Sequence, residues 1–99
     1  MSTDCHRFFG TLGTGLKMDI LLGLREKPLG VSELSEGVGQ ERSKVSHALL
    51  SLLGCGFVHV RKEGKRRIYS VNEDTILPLL DLAERHVRTY CRACRGKGG

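Results

Sequence analysis

Apolar residues recur along this chain at two periods, and the change between them divides it. From Thr14 to about Lys27, Leu16, Ile20, Leu21 and Leu24 fall on one face at helical spacing, and Pro28 stops the run. From about Glu41 to Leu53, Val45, Ala48, Leu49, Leu52 and Leu53 recur at i, i+3, i+4, i+7 and i+8, the stripe of a helix with one buried face. FVHVRK and KRRIYSV then alternate with period two and enclose Glu63-Gly64, which predicts a β-hairpin over about 57–71. The helical period returns at Ile76, Leu79, Leu80, Ala83, Val87 and Tyr90. Thr75 or Asp74 is placed to cap that helix, and Pro78 falls in its first turn, where a missing N–H costs little.

Two shorter helices complete the order. CHRFFGTLG, residues 5–13, is weakened by glycine and has Asp4 as a candidate N-cap. ELSEGV follows Ser32, which can cap it, and Gly37–Gly39 supplies a tight turn after it. Gly54 and Gly56 offer a left-handed end to the helix before the hairpin. The expectation is a mainly α fold with a small β-hairpin wing, a winged helix-turn-helix. Its helices run over about 5–13, 15–27, 32–38, 41–53 and 75–90. One domain is expected over 1–95, with GKGG at 96–99 as a flexible tail.

Charge sharpens this picture. The net charge of +5 comes entirely from the second part of the chain: residues 1–60 carry six Lys/Arg against six Asp/Glu, and residues 61–99 carry ten against five. Such an excess suggests a polyanion partner. No apolar run approaches the ~18 residues of a membrane span, and MSTDCHRFF lacks the order of a signal peptide. The expected setting is cytoplasmic, with no membrane partner. A chain of this size buries roughly 60–65% of its unfolded surface, so pairing with a second copy would add stability.

The helix over 41–53 turns Ser43, Ser46, His47 and Ser51 away from Val45, with Arg42 and Lys44 near its start. Short polar groups let a helix approach a major groove closely, and the cations can donate to base edges or phosphate. RKEGKRR sets five cations against one anion on the hairpin, in position to flank that groove. Helix and wing together favour double-stranded DNA. A winged-helix module that binds protein or RNA is the alternative. An enzyme is excluded: the chain shows no phosphate-cradling Gly motif and no nucleophile with a paired His, and its core is too small for a catalytic cleft.

The segment FFGTLGTGLKMDILLGL…VSELSEGVGQERSKVSHALLSLLGCGFVHVRKEGKRRIYSV resembles the ArsR-type winged helix-turn-helix repressors, over about residues 8–90. SKVSHALLSLLGCGFV with KEGKRRIY is its most specific part, and MarR-type proteins share much of the pattern. The resemblance implies a homodimer paired through the first and last helices, and repression by blocking a promoter. It assigns DNA contacts to Arg42, Ser43, Lys44, Ser46 and His47, and wing contacts to Lys62, Lys65, Arg66 and Arg67. It departs from the metal-sensing members, which carry Cys-x-Cys before the recognition helix, where this chain has GVSEL. Others place Asp, His and Glu ligands on the last helix; here Asp81 and His86 are five apart and point in different directions, with Glu84 between them.

Cys55, in LGCGFV, is expected in the core. Cys91 and Cys94 leave three readings open: surface thiols, a disulfide between them or with Cys5, or zinc. Zinc needs four ligands. Cys5 and His6 begin the helix that the family packs beside the last one, so a Cys3His site is one arrangement, with His86 as a spare ligand. No cofactor is required for DNA binding.

Overall fold

The computed structural model describes residues 3–95. In chain order it contains α1 (Thr3–Leu12), α2 (Gly15–Glu26), α3 (Val31–Val38), α4 (Arg42–Gly54), β1 (Val58–Glu63), β2 (Arg66–Val71), α5 (Ile76–Thr89) and the short α6 (Arg92–Arg95). The five long helices and the hairpin match the sequence expectation to within a residue or two. The expected flexible tail, 96–99, lies outside the described residues, and α6 was not anticipated.

The element ends differ from the expected caps in ways that have physical reasons. α1 begins at Thr3, which places Asp4 inside its first turn rather than at a cap. Gly30, not Ser32, is the N-cap of α3, and its N–H donates to Glu33 Oε1 at 2.7 Å. Thr75 is the N-cap of α5 but makes no side-chain cap bond. Asn72 does that work instead: its Oδ1 accepts from the N–H groups of Asp74 and Thr75, while its Nδ2 donates to the Gly56 carbonyl at 2.9 Å. One amide thus ties the end of the hairpin and the start of α5 to the turn after α4.

That turn also explains Cys55. Phe57 N–H donates to the Leu52 carbonyl and Gly56 N–H to the Leu53 carbonyl, the paired bonds of a Schellman ending, with Gly56 at φ +76°. The motif turns Phe57 inward, where it is 1% exposed, and leaves Cys55 outside. The expectation of a core Cys55 is therefore wrong. Its thiol donates weakly to the Thr11 hydroxyl at 4.0 Å.

Ile20, Leu21 and Leu24 of α2, Leu34 of α3, Val45, Leu49 and Leu52 of α4, and Phe57 make the centre of the core. Each such side chain stabilises the fold by about 1.5–3 kcal/mol on burial. β1 and β2 pair antiparallel from Val58↔Val71 to Glu63↔Arg66, joined by the two-residue turn Gly64-Lys65. Gly64 has φ +63°, a value open to glycine at the first central position of a hairpin turn. Leu29 adds a bridge to Tyr69, with both backbone bonds made at 3.0 and 2.8 Å. This third strand of one residue draws Tyr69 into the core and anchors the base of the wing.

α5 is attached unevenly. Ile76 and Leu80 are buried against the core, and Arg25 of α2 forms ion pairs with both Asp81 and Glu84. The Arg25 guanidinium holds the Glu84 carboxyl below the usual carboxylate range. Asp81 and Glu84 thus join two helices, and His86 stands apart from them with its ring 5.4 Å from that of Tyr90. Beyond Leu80 the helix is less covered: Val87 is half-buried, Leu82 is 55% exposed and Tyr90 74%. Phe9 of α1 is likewise 57% exposed.

Candidate nucleic-acid interface

α3, the turn at Gly39 (φ +70°) and α4 form the helix-turn-helix. Burial of Val45, Ala48, Leu49 and Leu52 fixes the rotation of α4 and leaves Arg42, Ser43, Lys44, Ser46 and His47 exposed. These are the five helix residues singled out by the sequence, and they form one outward surface. Ser51 is half-buried, and Leu50 stands out at 65% exposure. An exposed leucine on such a face can meet a thymine methyl group.

Lys62, Lys65, Arg66 and Arg67 are all exposed on the wing. The strand register sets Lys62 opposite Arg67 and Glu63 opposite Arg66. The wing's single carboxylate is taken by Arg61, whose Nη2 donates to Glu63 Oε2 at 2.7 Å. Lys62, Lys65 and Arg67 make no ion pair among the described residues. Their charge is available to an outside anion.

Arg66 has a second task that the sequence did not reveal. Its guanidinium pairs with Glu33, the same carboxylate that holds the Gly30 N–H at the start of α3. The Gly30 bond and then Arg66 hold the Glu33 carboxyl below its ordinary range. A Cβ at the buried Gly30 would lie 2.7 Å from Arg66 Nη2 and 2.9 Å from Glu33 Oε1, so glycine leaves the room this latch needs. Sequence spacing could not reveal it, because Glu33 and Arg66 are thirty-three residues apart. Through the latch, the wing, the start of α3 and the start of α4 border one cleft of about 320 Å³. Gly30, Ser32, Arg42, Lys65, Arg66 and Arg67 line it. Four cations and no carboxylate face that space.

The cysteines divide. The Cys91 and Cys94 sulfurs share a hydrogen bond at 2.7 Å, and the Cys94 N–H points at Cys91 Sγ at 3.4 Å. The bond to Cys91 pushes the Cys94 thiol up from its ordinary value. Cys5 and His6 do not join them within one protomer: no group of three or more His, Cys, Asp or Glu able to hold a metal forms among the described residues. No helix among those residues is long and apolar enough to cross a membrane.

The sequence profile of the sugar-specific transcriptional regulator TrmB matches residues 20–73, from α2 through the wing. The HTH-type transcriptional regulator NmtR of Mycobacterium tuberculosis is 39% identical over 75 residues, which are 76% of this chain and 62% of NmtR. The chain thus spans about three fifths of that relative's length. The crystal structure of Rv0081 from M. tuberculosis superposes with a TM-score of 0.79 at 34% identity, over 84% of each chain. The solution structure of the homodimeric winged helix-turn-helix domain of Mb0332 from Mycobacterium bovis, a possible ArsR-family regulator, superposes at 0.82. It is 24% identical and covers 90% of this chain and 82% of that one. With the fold shared and the profile match running from α2 through the wing, the chain belongs to the ArsR-type winged helix-turn-helix transcriptional regulators.

Proposed function

We propose that the protein is a cytoplasmic transcriptional repressor that binds double-stranded DNA sequence-specifically as a homodimer, blocking a promoter. α4 enters the major groove with Arg42, Ser43, Lys44, Ser46 and His47, and Lys62, Lys65 and Arg67 of the wing lie on the backbone. Arg66 holds the wing through Glu33 and adds its charge to the same surface. The observation that carries this reading is the convergence of Arg42 with three wing cations around one carboxylate-free cleft. A protein or RNA partner needs no such registration between a helix start and a hairpin; two adjacent phosphates of a duplex do.

Titration of a fluorescent duplex from the gene's own upstream region, across a salt series, tests it. Affinity falls steeply with salt, by about 0.9 in log–log slope for each phosphate neutralised. Lys65→Gln with Arg67→Gln removes two phosphate contacts from each protomer, so it makes the slope of the dimer shallower by nearly four and weakens all duplexes alike. An unchanged slope removes the wing from the backbone, and equal affinity for single-stranded RNA removes the duplex reading.

The 2.7 Å approach of Cys91 and Cys94 favours a second reading, a redox-responsive regulator. We infer that the pair closes to a disulfide on exposure to oxidised glutathione. Each thiol gives up its hydrogen as the Sγ–Sγ bond forms, and the glutathione disulfide takes both electrons and both protons, leaving as two thiols. Zinc at the same pair would need further ligands from the partner subunit. Intact mass under native conditions, after oxidation and alkylation, reads both cases. The expected result is loss of two hydrogens per chain with only Cys5 and Cys55 alkylated. Mixed glutathione adducts, disulfides between chains, or retained zinc would overturn it.

A further inference from the structure

A second cleft, of about 520 Å³, lies where the start of α2 meets α4. Its lining is mainly carbon, which sets it apart from the cation-lined cleft at the wing. Leu16 and Ala48 are among its walls, with Lys17, Lys44 and His47 beside them. Ala48 is 5% exposed and Leu16 half-buried, whereas Lys44 and His47 are exposed, so the apolar groups form the floor and the polar ones the rim. No carboxylate lines it: Asp19 and Glu41, the nearest along the chain, are both absent from the walls. Neither Lys17 nor Lys44 forms an ion pair among the described residues.

An apolar floor with two uncompensated ammonium groups at its edge suits one chemistry. The volume is that of a small-molecule site, and such sites combine apolar walls with few polar anchors. A DNA phosphate would satisfy the lysines but leave the exposed part of Leu16 uncovered. A neutral apolar molecule would cover the floor but leave both charges without partners. We propose that this cleft binds a small amphiphilic monocarboxylate, its hydrocarbon on Leu16 and Ala48 and its carboxylate between Lys17 and Lys44. Because Ser43, Lys44 and His47 also belong to the face assigned to DNA, such a ligand and the duplex exclude one another. The competition rests on the DNA reading; the binding itself does not.

The test uses 2-naphthoate as probe and the full chain labelled with nitrogen-15. Titration without DNA is expected to give saturable amide shifts confined to the start of α2 and the first turns of α4. Lys17→Gln, which leaves the proposed DNA contacts intact, weakens the probe on the order of tenfold, as a lost charge-assisted bond should. The neutral analogue 2-naphthalenemethanol binds more weakly by a similar factor. Absence of saturation at millimolar probe, shifts on the exposed face of α5 instead, or equal binding of the neutral analogue would each overturn the site. In a separate arm, naphthoate releases the duplex from the wild-type chain. Release failing while the amide shifts persist would leave the binding site standing and count against the DNA face as drawn.

Discussion

Ser46→Glu abolishes specific duplex binding and leaves folding and dimerisation unchanged. Ser46 is exposed on α4, between Ser43 and His47, and makes no contact with the core. Replacing it therefore creates no cavity, and the far-ultraviolet spectrum and melting temperature should match wild type. The glutamate instead carries a negative charge and extra length into a surface meant to lie against base edges and phosphates. The lost hydroxyl contact costs about 0.5–1.5 kcal/mol, and the larger part of the loss comes from repulsion between the new carboxylate and the phosphate backbone. The expected loss of affinity is on the order of a hundredfold or more. Ser46→Ala separates geometry from charge, because it should cost far less. Wild-type affinity in the glutamate variant would show that α4 does not enter the groove.

Leu82→Asp converts the dimer to a monomer at micromolar concentration, read by sedimentation, and Leu80→Asp unfolds the chain. The two leucines differ by two residues on α5 but not in chemistry. Leu80 is 5% exposed within one protomer, so a carboxylate there is buried without a partner. Leu82 is 55% exposed, so its substitution costs one protomer little. In a dimer paired through α1 and α5, Leu82, Tyr90 and Phe9 supply apolar area that the described residues of their own protomer leave exposed. DNA affinity falls with the dimer, because the second half-site is no longer tethered to the first. A dimeric Leu82→Asp variant would place the subunit contact elsewhere.

The helices, hairpin and outward face of α4 were legible because each rests on a local period. A stripe at i, i+3, i+4 decides both that α4 is a helix and which residues it exposes. What was not legible depended on termination geometry or on long-range pairs. Cys55 looked like core because small sulfur side chains usually are, yet the Schellman ending turns Phe57 inward in its place. The sequence analysis placed the cap of the last helix at Thr75 or Asp74, whereas Asn72 supplies it, held in place by its bond to the Gly56 carbonyl sixteen residues away. Arg66 read as one more wing cation, and only the folded chain brings Glu33 to it. Cys5 and His6 were set beside Cys91 and Cys94 by the family's packing of the first helix against the last, which does not fix their offset along the axis, and the described residues of one protomer bring no such metal-binding group together.

Arg25 has a geometric consequence. In a dimer paired through α5, the distance between the two copies of α4 is set by how each α5 sits on its own protomer. Two half-sites one helical turn apart demand that distance to within a few ångströms of about 34–36 Å. Ile76 and Leu80, with Leu77 and Leu79 packed against the core beside them, seat α5, and the ion pairs of Arg25 with Asp81 and Glu84 add a contact farther along the helix. In such a dimer a single guanidinium on α2, outside the face assigned to DNA, would help to set the spacing of the half-sites.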